Sequence, residues 1–102
     1  MNKATFIASL DEDNRWYGDS RLYKLDEPIT ITSLGVTFTT PYIVVMATTY
    51  YPDDREGICI YLTNQHGDVI NHDFRDWHGS NIFVKSLDHA VALSEIGIVI
   101  KG

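Results

Sequence analysis

Hydrophobic and polar positions alternate along much of this chain between residues 22 and 72. Alternation with a period of two is typical of strands that bury one face. Residues 42–51 open instead with an unbroken apolar run rich in β-branched side chains, which predicts a central strand covered on both faces. The predicted strands are residues 22–25, 29–32, 36–39, 42–51, 58–62 and 68–72.

Turn-forming residues separate these strands. Residues 33–35 and 52–57 are predicted turns, and residues 64–67 are a predicted hairpin loop with Gly67 in a left-handed conformation. Pro28 marks an edge or a bend, because proline has no N–H for a sheet ladder. Strands joined in this way over residues 42–72 predict an antiparallel meander. Residues 1–10 fit either a short helix or an edge strand.

The hydrophobic period changes near the C-terminus. Ser86 is the predicted N-cap of a helix over residues 86–96, and Asp88 in its first turn suits the helix dipole. Gly97 is predicted to end this helix, before a short strand at residues 98–100. The predicted apolar stripe consists of Leu87, Ala90, Val91, Leu93 and Ile96.

These elements predict one α+β domain over residues 1–102. Its antiparallel sheet, a β-meander, carries one C-terminal helix packed on a face. A chain of this length holds one modest core, because two independent cores would each be too small to be stable.

Charge narrows the classes of partner. The 102 residues include 14 Asp and Glu against 8 Lys and Arg, a net charge of −6. Binding to nucleic-acid phosphates normally needs an excess of cations, so we expect no direct nucleic-acid binding. An acidic surface suits solubility, or docking onto a protein with a basic surface.

The sequence also indicates a compartment. No apolar run approaches the roughly 18 residues of a membrane-spanning helix, and the first ten residues lack the features of a secretory signal. We therefore expect no membrane association. Cys59 is the single cysteine, which excludes an internal disulfide and fits a reducing cytoplasm.

Several residues could in principle carry chemistry. His72 and His78 lie close to acidic residues, but their spacing is at the edge of zinc-site patterns and no cysteine pair accompanies them. Cys59 stands among apolar neighbours, where a thiol is normally inert packing. Ser80 follows Asp76 and His78 but lacks the surroundings of a nucleophile elbow. We therefore predict a non-enzymatic protein without metal or cofactor, with its four histidines, His66, His72, His78 and His89, as solvated loop residues.

Two segments combine the residue types that are enriched at interfaces. One places aromatic side chains beside carboxylates at the end of a strand, and the other is a loop with arginine and tryptophan. The alternative is that Trp77 caps the core edge while Arg75 pairs with an acid. The predicted partner-binding residues are Tyr50, Tyr51, Asp53, Asp54, Glu56, Arg75, Asp76, Trp77 and His78.

The order of several motifs is also informative. They read L-D-E-P-I at 25–29, Y-I-V-V-M-A at 42–47, G-D-V-I at 67–70, W-H-G-S at 77–80 and L-D-H-A at 87–90. Together they resemble a family of short uncharacterised proteins of tailed bacteriophages, over residues 23–97. The stretches 57–62 and 71–77 depart from the family pattern. The resemblance implies a viral origin and a role in the cytoplasm of an infected bacterium, without an activity to carry over.

Three hypotheses about function follow. The first is a phage accessory protein that binds without catalysis and inhibits a host factor or a bacterial defence system, as an anti-CRISPR protein does. The second is a structural, assembly or scaffold protein, with strand edges at residues 21–32 pairing between chains in a homo-oligomer. The third is a protein that sequesters a small ligand, lined by Tyr50, Tyr61, Arg75 and Trp77.

Overall fold

The computed structural model describes residues 2–10, 19–33, 35–50, 55–70, 82–84 and 88–101. These residues form strands β1 (Asn2–Ser9), β2 (Asp19–Ser33), β3 (Val36–Tyr50), β4 (Arg55–Thr63) and β5 (Ile82–Val84), helix α1 (His89–Glu95) and strand β6 (Ile98–Ile100). The strands make one sheet in the order β5-β4-β3-β2-β1-β6. All neighbours are antiparallel except β1 and β6, which are parallel. A mainly antiparallel sheet with one short C-terminal helix confirms the α+β class.

The N-terminal segment is a strand, but it does not lie at the edge of the sheet. β1 pairs with β2 on one side, with Ala4 opposite Leu25. On its other side it pairs with β6, with Asn2 opposite Ile98. The edge position is therefore taken by residues from the other end of the chain, a long-range pairing that a local pattern cannot reveal.

β2 and β3 each join two segments that the sequence pattern separates. The register between them is interrupted between Lys24 and Ile29, so that residues 25–28 lie opposite Pro41. A bulge at this point tolerates Pro28 and Pro41, neither of which can donate to the ladder. The ladder between β2 and β3 is thus interrupted at Pro28, where the sequence predicted an edge or a bend.

The predicted turns are partly correct. Gly35 and Gly67 adopt the positive φ values expected of turn glycines, 77° and 80°. The predicted turn at 52–57 is too long, because Arg55 pairs with Tyr50 and Gly57 with Thr48 inside the β3–β4 ladder. Polar composition at a strand end resembled a turn in the sequence.

The strand predicted at residues 68–72 does not form over its described part. Only Val69 forms a bridge, to Thr63, and residues 71–72 lie outside the described part. The partner that β4 takes on this side is β5, with Ile58 opposite Val84. Asn64 holds the preceding loop together, since its Oδ1 accepts hydrogen bonds from the backbone N–H groups of His66 and Asp68.

Helix α1 begins later than the sequence predicted. The N-cap is Asp88, whose Oδ1 accepts hydrogen bonds from the N–H groups of Ala90 and Val91 at 2.9 and 3.2 Å. Ser86, the predicted cap, and Leu87 lie outside the described residues. An aspartate serves either as a first-turn acid or as a cap, so the sequence alone supports both positions.

The buried face of α1 also differs from the prediction. Its buried residues are His89, Ala92 and Leu93, whereas Ala90 and Val91 are exposed. Leu93, a predicted member of the stripe, is fully buried. The prediction gave weight only to apolar residues and so left out the histidine that begins the buried face.

The described sheet buries side chains on both of its faces. One cluster unites sheet residues with Ala92 and Leu93 of α1: Ala4, Tyr23, Leu25, Ile43, Val45, Ala47, Ile58, Ile60, Ala92, Leu93 and Ile98. The other cluster consists of Leu22, Val44, Met46, Cys59 and Tyr61. β3 contributes alternate residues to both clusters, as expected for a central strand covered on both faces.

Candidate functional site

The predicted partner-binding residues are only partly in the described structure. Tyr50 and Glu56 belong to β3 and β4, where they pair with Arg55 and Thr49. The remaining ones lie outside the described residues: Tyr51, Asp53, Asp54, Arg75, Asp76, Trp77 and His78. The last pair of the β3–β4 ladder is Tyr50 with Arg55, so residues 51–54 connect the two strands.

Three of the candidate chemical residues, Cys59, His66 and His89, lie in the described part of the structure. Cys59 is buried in β4 and belongs to the second hydrophobic cluster. His66 is exposed in the loop after β4, and His72 and Ser80 fall outside the described residues. Among the described residues no group of three His, Cys, Asp or Glu side chains could hold a metal ion. No described helix is long and apolar enough to cross a membrane.

His89 is the buried titratable residue of the α1 face. Its side chain is 3% exposed, and its Nε2 lies 3.5 Å from Oδ2 of Asp19 at the start of β2. Neither ring nitrogen makes a hydrogen bond within the described structure. We call Asp19, Arg21 and His89 the His89 cluster.

Arg21 already engages the carboxylate that faces His89. Its Nε donates to Oδ1 of Asp19 at 3.1 Å, and its Nη2 donates to Oδ2 at 2.8 Å. This two-point pairing is the strong geometry for arginine and a carboxylate. Hydrogen bonds with Tyr23 and then with Asp19 raise the pKa of Arg21 above its usual value.

The environment of His89 disfavours its charged form. Burial is the main cause that lowers the pKa of His89, and the positive charge of Arg21 lowers it further. Asp19 acts in the opposite direction, and the 3.5 Å separation alone would permit an ion pair. Burial outweighs the attraction of Asp19, because the Asp19 carboxylate is already paired with Arg21. His89 is therefore neutral near pH 7 and serves as a packing residue under α1.

Beyond the bulge, β2 and β3 continue as a two-stranded ribbon, which we call the arm (residues 29–40). It runs from the pair Ile29 and Thr40 to the pair Ser33 and Val36. Within the described residues β1 pairs with β2 no further than Leu25, and β4 pairs with β3 only from Tyr42 onward. The arm thus extends past the strands that flank its base.

One face of the arm is a small array of threonines. Oγ1 of Thr30 lies 2.8 Å from Oγ1 of Thr39, and Oγ1 of Thr32 lies 3.1 Å from Oγ1 of Thr37. All four side chains are exposed. Directly opposed threonines of this kind stabilise a ribbon by roughly 0.2–1 kcal/mol per pair. They leave hydroxyl groups and methyl groups facing solvent.

The base of the arm is tied to both ends of the chain. Nδ2 of Asn2 donates to the carbonyl of Glu27 at 2.8 Å, and the Glu27 N–H donates to Oδ1 of Asn2 at 3.0 Å. Lys101 forms an ion pair with Asp26 at 2.8 Å. These contacts add to the pairing of Leu25 with Ala4 at the bulge, where the ladder between β2 and β3 is interrupted.

The bulge is also the place at which β2 and β3 can change direction. A straight strand of 15 residues such as β3 would be about 50 Å long, whereas the protein extends 35 Å along its longest principal axis. The bulge opposite Pro41 is the interruption in the pairing of β2 and β3 at which bending is expected.

Two features escaped the sequence prediction, and the sequence holds a signal for the first of them. Positions 89, 92, 93 and 96 follow helical spacing, which would have placed His89 on the buried face. The alternation of threonine with apolar residues at 29–32 and 36–39 predicted two strands, but not that they project together beyond their neighbours. That property depends on where β1 and β4 end.

Comparisons with protein-family models, with curated proteins and with solved structures give no match to this chain. The resemblance to bacteriophage proteins therefore stays a prediction.

Proposed function

We propose that this protein is a small phage accessory protein that acts in the host cytoplasm by binding, without catalysis, to a host protein with a basic surface. Inhibition of a host factor or of a bacterial defence system is the expected consequence. The observation that carries the proposal is the register at the end of the central hairpin. Tyr50 pairs with Arg55, so Asp53 and Asp54 belong to the short connection between two strands that pair at nine consecutive positions.

This arrangement supports binding for three reasons. Binding residues commonly occur on the connections between the strands of a sheet, and residues 51–54 connect two strands that pair at nine positions. The acidic pair also adds to a net charge of −6, which favours approach to a basic surface. Aromatic residues at 50 and 51 supply the type of side chain that anchors interfaces.

The test begins with affinity purification of the tagged protein from bacterial lysate and identification of its partner by mass spectrometry. The purified complex is then measured at several salt concentrations. We expect its affinity to fall steeply with salt, because exposed charge pairs are screened. A complex that is indifferent to salt would contradict the proposed charge complementarity.

A pair of charge-reversal variants locates the surface. Asp53→Lys/Asp54→Lys should weaken the complex tenfold or more. Glu27→Lys/Glu95→Lys makes the same change in net charge at two exposed positions elsewhere and should retain most of the affinity. Equal losses in both variants would show that only net charge matters and would rule out the connection at 51–54 as the contact.

A further inference from the structure

The outer edge of β2 in the arm is open within the described structure. No described strand pairs with residues 29–33 on the side away from β3. The sequence suggested an open edge over residues 21–32, and the structure narrows it, because β1 covers Arg21 to Leu25. An open edge presents N–H and C=O groups that can pair with another strand.

This edge lacks the usual protection against pairing. Proteins guard open edges with charged side chains, prolines or bulges within the edge. Residues 28–52 contain no Asp, Glu, Lys, Arg or His. Pro28 and the bulge precede residues 29–33 and leave them as a regular, uncharged strand.

Charge also indicates what pairs there. Two copies of a chain with net charge −6 repel each other over most of their surfaces. Contact between copies is least opposed where charges are absent. Within the uncharged run, residues 42–47 pair with both β2 and β4, whereas residues 29–33 pair only with β3 among the described strands. We therefore infer that the partner is a second copy of this chain, which brings an identical, uncharged strand to the edge.

We propose that this protein forms a homodimer in which residues 29–33 of two copies pair antiparallel about a twofold axis through Ile31. In this register Thr30 of one copy lies opposite Thr32 of the second copy. The pairing uses all five edge residues and avoids Pro28. A register shifted by one residue would place the threonine faces of the two copies on opposite sides of the sheet.

The dimer continues the pattern already present in the arm. Its two arms form one four-stranded antiparallel sheet. The two threonine pairs of each copy, Thr30 with Thr39 and Thr32 with Thr37, join into two rows of four threonines across that sheet. Paired edges of five residues bury less than the roughly 1,200 Å² of a standard interface, so we expect a reversible, micromolar dimer.

Sedimentation velocity of the full chain tests this from about 5 to about 500 µM, because self-association depends on concentration. Wild type should shift from one-chain to two-chain mass. Thr30→Lys/Thr32→Lys places lysines opposite lysines in the dimer, and Thr30→Glu/Thr32→Glu places glutamates opposite glutamates. Like charges directly opposite destabilise pairing, so each variant alone should dimerise at least tenfold more weakly.

An equal mixture of the two variants should dimerise at least as well as wild type, since each lysine then faces a glutamate. This recovery also shows that both variants are folded. Thr37→Lys/Thr39→Lys adds the same charge to β3, about 10 Å from the second copy, and should stay within about twofold of wild type. Wild type that is monomeric throughout, assembly beyond two chains, an unrecovered mixture or equal weakening by the β3 control would each overturn the proposal.

The dimer does not depend on binding to a host protein. The Asp53→Lys/Asp54→Lys variant should therefore dimerise like wild type even where it has lost the host partner. Conversely, a monomeric Thr30→Lys/Thr32→Lys variant keeps the acidic connection at residues 51–54 for a host-binding measurement. Failure of one proposal is thus visible separately from failure of the other.

Discussion

Mild acid should destabilise this protein through His89. The imidazole is almost fully buried on the inner face of α1, where loss of water lowers its pKa and the charge of Arg21 lowers it further. Asp19 and Asp88 favour the charged form but act more weakly. The folded chain therefore resists protonation of His89, whereas the unfolded chain takes up a proton near pH 6.5.

The sign and size of the effect follow from this difference in pKa. Above about pH 6.5 both states are neutral at His89, and the full free energy of unfolding is present. As pH falls, the unfolded state binds the proton first, so the free energy of unfolding falls by up to about 1.4 kcal/mol per pH unit. By pH 5 the loss reaches about 2 kcal/mol at most, out of a typical 5–15 kcal/mol.

Urea denaturation of wild type and His89→Gln between pH 7.5 and pH 5 measures this contribution. The difference in unfolding free energy between the two proteins isolates His89 from the other histidines. We expect wild type to lose stability relative to His89→Gln as pH falls. A pH-independent difference, or a relative gain by wild type in acid, would refute the reasoning and would mean that the ion pair with Asp19 outweighs burial.

Two further variants check the assigned causes. Arg21→Gln removes the cation that disfavours imidazolium and leaves Asp19 unpaired, so the acid-dependent loss should become smaller. Asp19→Asn removes the favourable anion, so the loss should extend to lower pH. Identical pH profiles for these two variants would contradict the electrostatic account.

Other predictions concern the fold. Asp88→Ala should lower the free energy of unfolding by about 1 kcal/mol in chemical denaturation, because two helix N–H groups lose their acceptor, whereas Ser86→Ala should have little effect. Leu93→Ala should cost about 2–5 kcal/mol by creating a cavity, against less than about 0.5 kcal/mol for the exposed Val91→Ala; similar losses would disprove the assigned helix face. Gly35→Ala should lower the melting temperature through backbone strain alone, since φ is 77° and nothing lies within 4 Å of the added Cβ.

Much of the local structure was predictable from the sequence because it depends on neighbouring residues. The alternation at 29–32 and 36–39 predicted strands, and the glycines at 35 and 67 predicted their turns. The apolar run beginning at residue 42 predicted a central strand, and β3 indeed supplies Val44 and Val45 to opposite faces. Side-chain direction along a strand follows from its period of two, so these features need no tertiary information.

Other features were decided only by the tertiary structure. Whether Asp88 or Ser86 caps α1 depends on the position of the helix against the sheet. Whether His89 is buried depends on the start of β2, seventy positions away in the chain.

The edge of β2 in the arm, which is open within the described part of the chain, is the clearest case. β1 is the strand next to β2 on this side, and its pairing with β2 stops at Leu25. The sequence determined that residues 29–40 are uncharged and form strands. Only the lengths and order of the neighbouring strands determined that they project, because hydrogen bonding between distant segments is a property of the assembled sheet and not of any one segment.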